Sequence, residues 1–172
     1  MPDLLLDIED IMRLLGEVAD ELDKVDDDQH RIIVVGGALL AWYKLRAATR
    51  DIDSVTKLDE ATKQAAAVVG ERNDIGPSWL NDAAKGFLPR TFDETACDLL
   101  LDRTSLRVLG ATPDQVFIMK LFASRAADTD DLETLWPNCS FVTVEDAVEA
   151  YYAGYPHEER DPYLADRLRS IL

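Results

Sequence analysis

The stretch Ile32-Ile33-Val34-Val35-Gly36-Gly37 ends an apolar run in two glycines, and Asp51-Ile52-Asp53 follows after a gap of 13 residues. The β-branched run predicts a buried strand. The glycines carry no β-carbon, so an anionic group can approach their backbone closely. On a second strand, Asp51 and Asp53 would point to the same face because side chains alternate. Two carboxylates beside a glycine turn therefore predict a site for a divalent metal and a nucleotide phosphate.

Length and composition predict a single domain without a membrane anchor. The chain has 172 residues, 47% of them hydrophobic, which is enough for a core. It contains no apolar run of about 18 residues, and Met1-Pro2-Asp3 lacks the basic region of a signal peptide. Cys97 and Cys139 lack the spacing of a zinc site and are expected to be free thiols. We therefore expect a cytoplasmic protein with no membrane partner.

The net charge limits the partners that the chain can bind. A formal charge of −16 repels nucleic acid and anionic membranes at long range. It argues against a broad, nonspecific nucleic-acid binder and fits a basic partner. RNA binding stays open, because a local basic patch or bound metal ions would offset the repulsion.

Hydrophobic periodicity and capping residues predict helices that alternate with strands. Helices are predicted over residues 5–22, 38–45, 60–72, 78–85, 112–125, 128–135, 143–152 and 161–172. Strands are predicted over residues 31–36, 51–56, 96–101 and 106–109, the last two forming a hairpin. This order predicts an α+β fold, a small mixed β-sheet packed with helices. We expect a core over residues 1–110 and a helical C-terminal region over residues 111–172, packed together as one compact unit.

The glycines and the aspartates also have explanations that involve no function. Two glycines alone are consistent with a tight turn between a strand and a helix. Asp51 and Asp53 are consistent with the solvated face of an edge strand. Their order along the chain favours function, because two like charges on one strand face cost stability that a divalent cation would relieve.

This ordered pattern resembles the signature of the polymerase-β-like minimal nucleotidyltransferase superfamily. The resemblance covers residues 31–56 as a motif and extends to about residue 110 in the order of elements. It implies that Asp51 and Asp53 hold Mg²⁺, or Mn²⁺, against an incoming nucleoside triphosphate. It also implies that Gly36 and Gly37 pack against the triphosphate.

Further residues of a polymerase-β-like site are less sharply marked. Such enzymes carry a third metal-binding carboxylate on a later strand; Asp98 is the best placed candidate, with Asp102 behind it, and the position can also be empty. Arg46 and Arg50 lie between the glycines and the aspartates. Arg50, which adjoins Asp51, either contacts a nucleotide phosphate or neutralises the acidic strand.

A second pattern lies in the predicted helices downstream. Lys120 and Arg125, followed by Asp128 and Asp131, resemble the Lys…Arg…Asp helical motif of bacterial toxin–antitoxin nucleotidyltransferases of the AbiEii and MenT type. The resemblance implies that Lys120 contacts the triphosphate, a role that suits a compact ammonium charge. It implies that Asp131, or else Asp128, is the second essential group. Without function, the same residues would be solvent-facing helix residues and helix caps.

Together the resemblances imply an enzyme, a Mg²⁺-dependent nucleotidyltransferase that transfers a nucleoside monophosphate from an NTP to RNA. The 3′ end of a tRNA would be the acceptor, and Asp98 or Asp131 would orient or deprotonate its hydroxyl. The protein would then be the toxin of a toxin–antitoxin pair, with a cognate antitoxin protein as a partner.

Two alternatives stay open. One is transfer to a tyrosine of a partner protein, as in antitoxin-type nucleotidyltransferases, which the charge of −16 favours. The other is a noncatalytic binding module that keeps the fold. Tyr151, Tyr152 and Tyr155 either stack on RNA bases or pack between helices.

Overall fold

The computed structural model describes residues 4–123 and 128–172 and has the expected α+β fold. The α-helices in this part of the chain are α1 (Ile8–Leu22), α2 (Gly36–Trp42), α3 (Glu60–Arg72), α4 (Pro113–Ala123), α5 (Asp128–Leu135), α6 (Val144–Gly154) and α7 (Leu164–Ile171). The strands are β1 (His30–Val35), β2 (Ile52–Ser54), β3 (Leu80–Asn81), β4 (Asp98–Asp102) and β5 (Leu106–Gly110). The prediction of a mixed sheet packed with helices is confirmed.

The five strands form one sheet in the order β3-β2-β1-β5-β4. The central strand β1 runs antiparallel to β2 and parallel to β5. β3 runs parallel to β2, and β4 forms the expected antiparallel hairpin with β5. Because Val35 pairs with Asp53, the start of β2 lies beside the end of β1. This register brings the aspartates next to the two glycines.

The first compact unit comprises the described residues up to Gly86 together with Cys97–Ala111, and it contains the whole sheet. Within it, α1 packs against α3. α1 begins after Asp7, whose carboxylate accepts a hydrogen bond from the backbone N–H of Asp10 at 2.9 Å. The apolar face of α1 is fully buried, so packing rather than helix propensity supplies most of its stability.

The second compact unit comprises Phe87–Ala96 and the described residues of Thr112–Leu172. In this unit, α4 packs against α5 and α6, and α6 packs against α7. Tyr151, Tyr152 and Tyr155 are buried there in ring–ring contacts. They pack between helices, so they do not form an exposed surface for stacking bases. The expected packing of the helical region on the core as one compact unit stays a prediction.

Several predicted boundaries differ from the structure. α1 begins at Ile8 rather than at residue 5, because Leu6 forms a β-bridge with Thr49. The helix predicted over residues 78–85 is wrong, since Leu80–Asn81 is a strand and Ala83–Phe87 is a 3-10 helix. The helix predicted over residues 60–72 is confirmed at both ends, and the helix predicted over residues 128–135 is confirmed at its C-terminal end. None of the described helices is both long and apolar enough to cross a membrane.

Candidate active site

The two glycines at the end of β1 leave room for other side chains. Gly36 has a φ of 68°, which L residues rarely adopt. One carboxylate oxygen of Asp53 lies 3.0 Å from the position that a β-carbon on Gly36 would occupy. At Gly37, Nη1 of Arg46 and Oγ1 of Thr49 each lie 2.6 Å from the corresponding position. The missing β-carbons therefore admit a carboxylate, a guanidinium and a hydroxyl to the backbone.

Asp53 lies on β2, and Asp51 is the residue immediately before that strand. Ile52 and Ser54 are fully buried, whereas the two aspartates are partly exposed. This alternation is the one expected for a strand with one covered face. The backbone N–H of Ile52 donates to the carbonyl of Trp79 at 2.6 Å, which fixes the start of the strand. Both aspartates therefore lie at the end of the sheet where β1 stops and Gly36 follows.

The surroundings of Asp51 disfavour its charged form. Burial raises the pKa of Asp51, and a hydrogen bond with Asn81 and the charge of Arg50 offset this only in part. Asn81 also pairs in register with Asp53 across β2 and β3. A carboxylate with a raised pKa gains stability when a cation binds beside it, so this position suits a metal ligand.

The donor set fits magnesium. Mg²⁺ in proteins is usually held by one or two carboxylates, and substrate phosphates and water complete its coordination. Asp51 and Asp53 supply two carboxylates beside the glycine turn. Across residues 4–123 and 128–172, no three His, Cys, Asp or Glu side chains are grouped as a metal site. The pair therefore fits a metal that is shared between the protein and a triphosphate, not a closed structural site.

The structure does not bring Asp98 to this pair. β4 and β2 are separated by β1 and β5, about 14 Å at the usual spacing of strands. Asp98 pairs with Gly110 of β5, which pairs with Val34 of β1. Asp53 pairs with Val35, the next residue of β1, so the pleat directs the two carboxylates to opposite faces. Asp98 was expected as a third metal ligand, and its position on the opposite face of the sheet from Asp53 contradicts that expectation.

Asp98 and Asp102 have other partners. Asp98 accepts a hydrogen bond from the hydroxyl of Tyr43 at 2.7 Å. Burial, and then Asp98, raise the pKa of Tyr43, so its phenol stays protonated. Asp102, at the far end of β4, accepts from the side chain of Gln29 at 3.2 Å. Asp98 was also expected to orient or deprotonate an acceptor hydroxyl beside Asp51 and Asp53. Its position on the opposite face of the sheet from Asp53 does not support this role.

A cavity of about 490 Å³ lies beside Asp51. Asp51 and Arg50 form part of its wall. The remaining walls are mostly apolar and come from the N-terminal segment and the loop before β3: Leu4, Leu6, Ile75, Pro77 and Trp79, with Asp74 as a further charged residue. The volume is within the range of about 300–1,000 Å³ that is usual for sites that bind small molecules or side chains.

In the second unit, Lys120, Asp128 and Asp131 form a nearly buried cluster. Nζ of Lys120 lies 2.9 Å from Asp128 and 2.8 Å from Asp131. The exposed fraction of the side chain is only 13% for Lys120, 12% for Asp128 and 11% for Asp131. They are therefore not solvent-facing helix residues, and the motif brings its lysine and both aspartates together. Arg125 of the same motif lies outside the described residues.

The predictions from sequence missed one neighbour of the pair. Thr49 carries no recognisable signal, because its contact with Gly37 depends on the path of the chain after α2. Asn81, with Asp82 and Lys85, was expected from the sequence as a residue that could face the site, and Asn81 does lie beside the aspartates. Its segment was predicted to be helical and is instead a strand paired with β2.

A sheet whose central strand is followed by two glycines, beside a strand that carries Asp53 and is preceded by Asp51, is the arrangement expected of a nucleotidyltransferase. A family model described as "Nucleotidyltransferase of unknown function (DUF6036)" matches residues 9–163. The chain therefore belongs to this family of nucleotidyltransferases. No curated protein and no solved structure matches it. The closer resemblance to AbiEii-type and MenT-type toxins stays a prediction.

Proposed function

We propose that this protein is a Mg²⁺-dependent nucleotidyltransferase that transfers a nucleoside monophosphate from an NTP to an acceptor hydroxyl. The observation that carries this proposal is the contact of the Asp53 carboxylate with Gly36, in a chain that belongs to a nucleotidyltransferase family. A carboxylate is a usual ligand of Mg²⁺, so an oxygen of Asp53 this close to the first glycine supports a metal held beside the two glycines.

In this reaction, the acceptor oxygen forms a bond with the α-phosphorus, and the bond from that phosphorus to the pyrophosphate oxygen breaks. The acceptor hydroxyl releases its proton, and pyrophosphate leaves. Asp51 and Asp53 would hold the metal, which supplies neutralisation of the phosphate charge when bound. The chain itself orients the triphosphate and the acceptor, so catalysis rests on positioning and electrostatics. Lys120 and Asp131 remain candidates for this chemistry through the resemblance alone.

The first candidate acceptor is RNA. The resemblance of residues 120–131 to bacterial nucleotidyltransferase toxins supports the 3′ end of a tRNA as the acceptor. It also supports a role as the toxin of a toxin–antitoxin pair, with a cognate antitoxin protein as the partner. A local cation such as Arg50, or bound Mg²⁺, would have to offset the net charge of −16 for RNA to approach.

A hydroxyl on a partner protein is the second candidate acceptor, and the cavity beside Asp51 favours it. The cavity has one cation, Arg50, against the carboxylates of Asp51 and Asp74. Its one aromatic residue, Trp79, is 3% exposed and donates its ring N–H to the carbonyl of Ala66, so it offers no face on which a base could stack. A cavity with a mixed apolar and polar lining and more carboxylates than cations suits a side chain of a basic polypeptide better than a phosphate backbone.

Transfer can be tested with the full chain, Mg²⁺ and each of the four α-labelled NTPs, in the presence of total tRNA and cell protein. Label that ribonuclease removes supports the RNA acceptor, and label that protease removes supports the protein acceptor. Asp51→Asn and Asp53→Asn should each abolish labelling while the fold is kept. Asp27→Asn, which removes the same charge from an exposed loop, should label as the wild type does. Unchanged labelling or unchanged cellular effect in both active-site variants would exclude the proposed enzyme and favour a noncatalytic module.

A further inference from the structure

Arg46 is held directly against the second glycine of the turn. Its Nη1 atom lies 2.6 Å from the position that a β-carbon on Gly37 would occupy, so a side chain there would push the guanidinium aside. The hydroxyl of Thr49 lies at the same distance, with its own β-carbon at 3.3 Å. The absence of a side chain at Gly37 therefore gives these two side chains their place against the backbone at the end of β1.

The chain reverses after α2 to bring Arg46 there. Lys44 has a φ of 62°, and the N–H of Leu45 donates to the carbonyl of Leu40 at 2.8 Å, which closes a turn at the end of the helix. Further on, Thr49 and Leu6 exchange two backbone hydrogen bonds, of 2.7 and 2.9 Å. The segment that carries Arg46 is thus anchored at both ends.

Adjacent glycines therefore receive side chains of opposite charge. The carboxylate of Asp53 lies over Gly36, and the guanidinium of Arg46 lies over Gly37. A metal–triphosphate complex needs both charges at close range, since the carboxylate binds the metal and a cation binds phosphate oxygens. Arginine suits this task because its planar donors can bond two phosphate oxygens at once.

We propose that Arg46 binds the β- and γ-phosphates of the NTP, while the Thr49 hydroxyl beside it donates to the backbone carbonyl of Asp51 at 3.2 Å. The inference rests on the proposed function and deepens it. It gives the glycine turn a specific chemistry, in which Gly37 serves to seat a phosphate-binding arginine. The same geometry predicts discrimination, because a nucleoside monophosphate lacks the phosphates that Arg46 would contact.

Binding of Mg²⁺–NTP and of the matching monophosphate to the full chain can be measured by titration calorimetry. Arg46→Gln should weaken binding of the triphosphate about 10- to 100-fold and leave the monophosphate within about twofold. Arg46→Lys should recover part of the loss, because it restores the charge without the planar donors. Arg107→Gln removes the same charge from an exposed position of β5 and should bind both nucleotides as the wild type does.

The titrations distinguish failure of the assignment of Arg46 from failure of the proposed function. Equal loss of triphosphate and monophosphate binding in Arg46→Gln, or no loss of either, overturns the assignment of Arg46. If Arg46→Gln fails to fold, as judged by its thermal transition, Arg46→Lys decides by its ratio of triphosphate to monophosphate affinity. If the wild type binds no NTP, the proposed function fails, and the role of Arg46 fails with it. If Asp53→Asn abolishes NTP binding but neither Arg46 variant weakens it, only the inference about Arg46 fails.

Discussion

A carboxylate oxygen of Asp53, on β2, lies 3.0 Å from the position that a β-carbon on Gly36, the residue after β1, would occupy. The structure places two requirements on Gly36. Gly36 must adopt a φ of 68°, and it must also leave space for the side chain of Asp53. A substitution at Gly36 is therefore expected to affect both the fold and the carboxylate of Asp53, which we propose as a metal ligand.

Gly36→Ala should lower the free energy of unfolding by about 1–3 kcal/mol, because a β-carbon is strained at this φ. It should also displace Asp53 and weaken the Mg²⁺-dependent binding of NTP. Urea unfolding and nucleotide titration measure the two effects. Gly76→Ala is the matched control, since nothing lies within 4 Å of the added atom, and it should leave both quantities nearly unchanged. Unimpaired nucleotide binding in Gly36→Ala would contradict the coupling.

Gly76 also allows the cavity beside Asp51 to be filled. It lies in the cavity wall, and a side chain there would enter open space. Gly76→Phe should therefore reduce transfer to the acceptor at least tenfold and leave Mg²⁺–NTP binding intact, if the acceptor enters through this cavity. Gly86→Phe, another position with open space but outside the cavity wall, should transfer normally. Normal transfer in Gly76→Phe would show that the acceptor approaches from another side.

Features specified by local chemistry were predictable from the sequence. The bounds of α3 were predicted from its periodic alanines and valines, and in the structure Asp59 caps its first turn by accepting a hydrogen bond of 2.8 Å from the N–H of Thr62. The alternation of Asp51 and Asp53 with buried residues followed from the period of a strand. The hairpin of β4 and β5 followed from two apolar runs that flank a short polar segment.

Features specified by pairing across the sheet were not predictable. The segment Leu80–Asn81 is a strand only because it pairs with β2, and two residues carry no periodicity. Asp98 was a plausible third ligand until the register placed it on the opposite face from Asp53. Arg46 reaches Gly37 through a turn at Lys44, a position where sequence offers no glycine to mark the left-handed backbone.

His30 connects two parts of the first unit through its ring. Nδ1 lies 2.7 Å from Asp59 at the start of α3, and Nε2 lies 3.1 Å from Asp26 in the loop after α1. Burial alone would lower the pKa of His30, but the hydrogen bonds to Asp59 and Asp26 outweigh it, so the pKa is raised. Both ring nitrogens face carboxylates, which favours the imidazolium because it donates from both.

The stability of the fold should therefore depend on pH through His30. Because its pKa is higher in the folded state, the stabilisation is fully present below the unfolded value of about 6.5. It is lost as the pH rises through the raised folded value. Urea unfolding between pH 5.5 and 8.5 should show a decline in the free energy of unfolding that His30→Gln removes. The same decline in His30→Gln would assign the effect to other groups.

Lys120 offers a test that separates structure from nucleotide binding. Lys120→Met should destabilise the protein by about 3–5 kcal/mol, because it leaves the nearly buried Asp128 and Asp131 without the ammonium charge. The variant Lys120→Met/Asp128→Asn/Asp131→Asn removes the charges together and should recover most of that stability in urea unfolding. If Lys120 contacts the triphosphate, this stable triple variant should still bind Mg²⁺–NTP at least tenfold more weakly than the wild type. Wild-type affinity in the triple variant would make the cluster purely structural, and the toxin-like role implied for Lys120 and Asp131 would be wrong.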